Sequence, residues 1–102
     1  MRALQLTAPA PAATFPLEMV ALSDREPGPD ELVLQVAACA VCRTDLQIVE
    51  GDLAAHRLPV VPGHQAVGRV ESVGPEVTEW KPGVRAGVAW LGATCGRCGF
   101  CL

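Results

Sequence analysis

Glu31-Leu32-Val33-Leu34-Gln35-Val36-Ala37-Ala38-Cys39-Ala40-Val41-Cys42-Arg43-Thr44-Asp45 is the stretch on which the fold turns. Its first half sets Leu32, Leu34 and Val36 against Val33, Gln35 and Ala37, the two-residue period of a strand over Glu31–Ala38. After Cys42 the pattern changes. Thr44 offers a hydroxyl for an N-cap, Asp45 suits the electropositive first turn of a short helix over Asp45–Glu50, and Gly51 ends it. Upstream, Met1–Leu6 alternates weakly, Ala8–Pro16 is an Ala/Pro-rich connector, Leu17–Leu22 is a second candidate strand, and prolines around Gly28 make a turn. Downstream, Pro59 and Pro62 flank Val60 and Val61. His64–Val73 then reads as a strand interrupted by Gly68 and closed by Gly74-Pro75, and Lys81-Pro82-Gly83 turns the chain into a further strand over Val84–Trp90. An apolar set of Val, Leu and Ala, punctuated by ten Gly and nine Pro, suits short strands joined by turns better than a helical bundle. The expected architecture is mostly β, a small barrel or sandwich with one short helix. At 102 residues the chain is one domain by length and large enough to bury a core of its own.

The formal net charge is -3 and the basic residues are scattered singly, so the chain lacks the electrostatic footprint of a nucleic-acid partner. No stretch approaches the ~20 apolar residues of a membrane span, and Met1–Leu6 has neither a charged leader nor a long apolar run, so a cytoplasmic location is expected. Five cysteines without a secretion signal argue for thiols kept reduced for a metal rather than for a disulfide framework.

Cys95, Cys98 and Cys101 sit at two-residue intervals, the way one short loop supplies most of a tetrahedral zinc site. No Cys or His follows Cys101. The fourth ligand is therefore expected from beyond Leu102, from another chain or from far back in the sequence, and the chain itself is expected to be part of a longer protein. An iron–sulfur cluster of an electron-transfer protein is the competing use of the same run. Cys42 and His64 are a second candidate pair, each placed where a regular element is expected to give way to a turn. Taken singly, each has a plainer reading, a structural cysteine and a hydrogen-bonded turn histidine. Cys39, three residues before Cys42, makes a C-x-x-C that could be a redox pair or half a zinc knuckle. On a strand it would point away from Cys42, and it is assigned to the core.

Cys42-Arg43-Thr44-Asp45, then Gly63-His64-Gln65 with Gly68, Gly74 and Val77, then Cys95-x-x-Cys98-x-x-Cys101, together resemble the zinc-containing alcohol dehydrogenases of the medium-chain dehydrogenase/reductase family. The resemblance runs along the whole chain, residues 1–102, which would be an incomplete N-terminal GroES-like catalytic domain. It implies a partly open β-barrel with short helices and a zinc loop at its C-terminal end. It also implies a zinc-dependent enzyme that oxidises a small-molecule alcohol to an aldehyde or ketone, by alkoxide formation on zinc and hydride transfer to NAD(P). Cys42 and His64 would bind the catalytic zinc, with a third ligand further along. Thr44 would pass on the alcohol proton, and Arg43 would meet the cofactor pyrophosphate. Asp45 would accept the other ring N–H of His64, Leu53 and Trp90 would line the substrate channel, and Cys95, Cys98 and Cys101 would hold a structural zinc. A homo-oligomer is implied for the full-length protein.

Departures from the family pattern carry their own expectations. Gln65 replaces the usual Glu beside His64 and removes a negative charge from behind the metal. Gln47 stands where many relatives place a proton-carrying histidine, so the relay from Thr44 is expected to end on cofactor ribose or water. Ala40 replaces a common glycine, and Val84 and Ala86 replace an Asp and a Val. No G-x-G-x-x-G follows a strand, so the Rossmann half is absent from this chain, which is expected to be inactive alone. A stand-alone, non-catalytic GroES-like binding module is the other competing reading.

Overall fold

The computed structural model describes residues 1–102 as two antiparallel sheets and one helix. β1 (Arg2–Leu6) pairs with β2 (Leu17–Ala21), Arg2 opposite Ala21 and Leu6 opposite Leu17, with a single 3₁₀ turn at Ala12–Thr14 in the connector. β3 (Leu32–Cys39) pairs with β4 (Ala66–Val73), which pairs in turn with β5 (Arg85–Val88). α1 (Arg43–Glu50) lies between β3 and β4 in sequence. An isolated antiparallel bridge between Leu6 and Val60 ties the first sheet to the segment leading into β4, with Leu6 N–H donating to Val60 O at 2.8 Å and Val60 N–H to Leu6 O at 3.0 Å. The strands do not close into a barrel.

The sequence pattern located all five strands, with no end displaced by more than two residues. Two departures have clear causes. The pairing of β3 with β4 slips between Val33 and Leu34 and again between Val36 and Ala38, so the bulges break the strict alternation of sides. Within that pair the two backbones approach so closely at Gly68 that a Cβ there would overlap the Gln35 carbonyl. The interruption in the strand pattern is thus a packing requirement of the sheet. The helix begins earlier than the Thr44 cap implied. Cys42 is its N-cap, and the Asp45 carboxylate accepts the Cys42 backbone N–H at 2.8 Å, fixing the first turn from its third residue rather than from Thr44.

The expectation of a self-sufficient core does not hold. Seven of 102 residues are buried, and the apolar ones with side chains are Ala3, Leu6, Val49 and Val70. The accessible surface is 8013 Å², against about 5,500 Å² for a compact monomer of this mass. The radius of gyration is 15.4 Å, where about 13 Å is typical of ~100 residues. Met19, Val36, Val67, Val88, Trp80 and Phe100 all stand exposed. Exposed apolar surface on this scale is characteristic of faces that contact other protein. No helix is long and apolar enough to cross a membrane.

Candidate metal centre

Three segments meet around His64. The N-cap of α1 supplies Cys42, whose Sγ lies 3.3 Å from His64 Nε2 although 22 residues separate them. One turn into the helix Asp45 is buried, and its two oxygens serve two partners. Oδ2 takes the Cys42 N–H, while Oδ1 sits 3.3 Å from His64 Nδ1 and has no aligned hydrogen-bond donor. A carboxylate facing Nδ1 favours the tautomer that carries its proton there, which leaves the Nε2 lone pair free and aimed at the cysteine. Gly63, at φ +120°, is in a conformation that side-chain-bearing residues rarely adopt, and it turns the chain so that His64 reaches this position ahead of β4. The Trp90 ring stands edge-on to the His64 ring, centroids 5.6 Å apart.

The donor chemistry fits zinc. Ligands of a tetrahedral Zn²⁺ bonded to sulfur and nitrogen sit about 3.5 Å apart, and two sulfurs about 3.8 Å. The Cys42–His64 separation matches the first. In the second group Cys95 Sγ lies 3.7 Å from Cys101 Sγ, matching the second value, and Cys98 Sγ lies closer, at 3.4 Å. Within each group, Cys42/Asp45/His64 and Cys95/Cys98/Cys101, the potential ligand atoms all lie within 4.8 Å of one another. The buried, unsatisfied Asp45 Oδ1 faces His64 Nδ1, the ring nitrogen opposite the one that meets Cys42 Sγ. In the loop, backbone N–H groups of Arg97 and Cys98, and then the neighbouring thiols, lower the pKa of the Cys95 thiol from 9.0 to about 7. All five cysteines are free.

A pocket of about 450 Å³ opens beside His64. Thr44, Leu53 and Trp90 line it together with His64 and Asp45, so the sequence-assigned channel residues are gathered on one cavity. Gln47 is half-buried but does not line it, and Arg43 and Gln65 are exposed and also outside it. Cys39 is not the core residue that its strand position suggested. β3 ends there on the outside of the sheet, and the exposed thiol rests against the backbone of Gly63. Sequence reasoning passed over His56 and Arg57, which also line the pocket. Their signal is a basic pair inside an otherwise apolar run between Asp52 and Pro62.

Residues 28–102 match the family model described as the alcohol dehydrogenase GroES-like domain. The chain belongs to this family. It is 48% identical over 106 residues to the Mycobacterium tuberculosis protein named "Probable alcohol dehydrogenase AdhA", covering 99% of this chain and 31% of that protein. It is 40% identical over 90 residues to the aldehyde reductase YahK of Escherichia coli, covering 88% of this chain and 26% of the relative. Among solved structures, the cobalt- and zinc-bound thermostable alcohol dehydrogenase from Pyrobaculum aerophilum superposes with a TM-score of 0.83 at 32% identity, covering 99% of this chain and 30% of that one. This GroES-like domain chain therefore spans a third or less of the length of these relatives.

Proposed function

We propose that residues 1–102 form the metal-bearing part of a zinc-dependent, NAD(P)-linked alcohol dehydrogenase whose cofactor domain lies outside this sequence. The observation that carries the reading is His64 held between two partners, Cys42 Sγ on one ring nitrogen and the Asp45 carboxylate on the other. Support for a larger protein comes from the bare apolar surface and from the short span relative to the dehydrogenases it resembles.

Cys42 and His64 would hold a catalytic zinc, and Cys95, Cys98 and Cys101 a structural one. Zinc held there would supply Lewis acidity toward a substrate hydroxyl, and a nicotinamide cofactor would supply the hydride acceptor. Around that chemistry each residue has a physical task. Asp45 fixes the His64 tautomer and makes the ring a better donor. Thr44, on the pocket wall beside the metal ligands, accepts the substrate hydroxyl proton and donates its own onward. With Gln47 outside the pocket, the onward acceptor of that proton would be water or a ribose hydroxyl of the cofactor. Leu53 and Trp90 exclude water from one side of the reacting centre. Arg43, exposed in the first turn of α1, is free to meet an anionic cofactor. Five free thiols fit a reducing, cytoplasmic setting, and homo-oligomerisation would cover part of the exposed apolar surface.

Zinc content and alcohol-dependent reduction of NAD(P)⁺, measured on the dehydrogenase carrying this chain, test the reading. Chelation should abolish turnover and zinc should restore it. Visible absorbance from bound iron, or turnover indifferent to metal removal, would overturn it.

A further inference from the structure

We propose that the pocket beside the metal centre takes a hydroxyl or carbonyl compound bearing a carboxylate, and that Arg57 recognises the anionic end. This rests on the reading of Cys42 and His64 as the reacting end. The pocket wall is largely apolar, and its charged or titratable groups are Asp45, His56, Arg57 and His64. Two of these are engaged with each other, Asp45 with His64 at 3.3 Å, and Asp45 also takes the Cys42 N–H. The only carboxylate on the wall is therefore committed elsewhere. Arg57 enters no ion pair: those of the chain join Met1 to Asp24, Arg25 to Glu31 and His64 to Asp45. Nor does its guanidinium make a hydrogen bond, whereas Arg69 donates to the Gly83 carbonyl and Arg25 to Glu31.

Arg57 and His56 line the pocket while remaining exposed to solvent, so a neutral alcohol leaves the guanidinium hydrated but without a partner. A carboxylate satisfies it through two parallel hydrogen bonds, a geometry that Arg presents ready-made. His56, adjacent on the same wall, adds a second donor. The surroundings do not oppose an anion. Although the chain is net negative, no acidic side chain other than Asp45 lines the cavity, and residue 65 is a neutral Gln. At about 450 Å³ the pocket has room for a short carbon chain between the reacting carbon and the carboxylate.

The test is steady-state kinetics of the zinc-loaded dehydrogenase with a short series of ω-hydroxy carboxylates and their matching carboxamides. The expected result is a preference for the acid of about two- to fivefold in kcat/KM, expressed in KM and shrinking at high ionic strength. Arg57→Gln should bring the acid-to-amide ratio toward unity, and Arg57→Lys should restore part of it. A ratio at or below one in the unaltered protein, or one that Arg57→Gln does not move, overturns the anionic subsite while the dehydrogenase reading stands. Absence of turnover with every alcohol and aldehyde overturns that reading and this inference with it.

Discussion

The two candidate metal-ligand clusters are built on opposite plans. Cys42 and His64 come from separate elements, are half-buried, and are backed by a buried carboxylate that also starts a helix. Cys95, Cys98 and Cys101 lie within seven consecutive residues, all exposed, and their only recorded partners are one another and their own loop backbone. A cluster assembled across the fold cannot exist without the fold, and its geometry is held by contacts the metal did not create. A local cluster is shaped chiefly by its own turns and by the ion it binds. The first plan suits a centre that must keep an open position while doing chemistry, and the second suits a closed ion that braces a loop.

The sharpest way to break this contrast is to remove one thiolate from each cluster. Cys42→Ser should abolish turnover and cost one zinc per chain by elemental analysis. Cys95→Ser should cost the other zinc and lower the melting temperature while turnover persists. Equal loss of turnover with both metals retained would erase the distinction. Next in size is Asp45→Asn, which keeps the shape but weakens the acceptor behind His64. A loss of about 10–100-fold in metal affinity or kcat is expected, with about 1 kcal/mol of stability lost from the helix start. Stability loss alone, with metal affinity intact, would reduce Asp45 to a cap.

The third prediction concerns pH. Because the Cys95 pKa is lowered to about 7, its thiolate persists well below the ordinary range and gives way to thiol as pH falls through about 7. Protons then compete with the metal. Alkylation of the metal-free loop should show a midpoint near that pH, and loop zinc should be released as pH drops below it. A midpoint near 9 would remove the role of the loop backbone. The smallest effect is expected at Cys39. Replacement by Ser should change stability by less than about 0.5 kcal/mol and leave both metals in place, since the thiol is exposed and belongs to neither cluster.

How much the sequence disclosed follows the same division between local and distant. Strand positions were legible because alternation is a local property, and the Cys95–Cys101 run because its ligands lie within a single loop. Cys42 and His64 stood as a candidate pair on their places at the edges of regular elements, but each alone had a plainer reading, and their roles as ligands came only from the family resemblance. The fate of Cys39 was misread because alternation assigns a side of the strand but not what covers it. Here nothing in the chain does. The size of the core was misread for a related reason, as length bounds how much could be buried but not how much the chain buries against itself. His56 and Arg57 were missed because lining a cavity depends on where the segment after α1 travels, which the Leu6–Val60 bridge decides.

One carboxylate, that of Asp45, joins the helix start to the imidazole. Fraying of that terminus and release of the ion should therefore be one event seen by two probes, with amide exchange at the beginning of α1 slowing as metal occupancy rises. Any lineage that discards the acid surrenders a piece of folding along with a piece of chemistry, so the two properties cannot drift apart at this position.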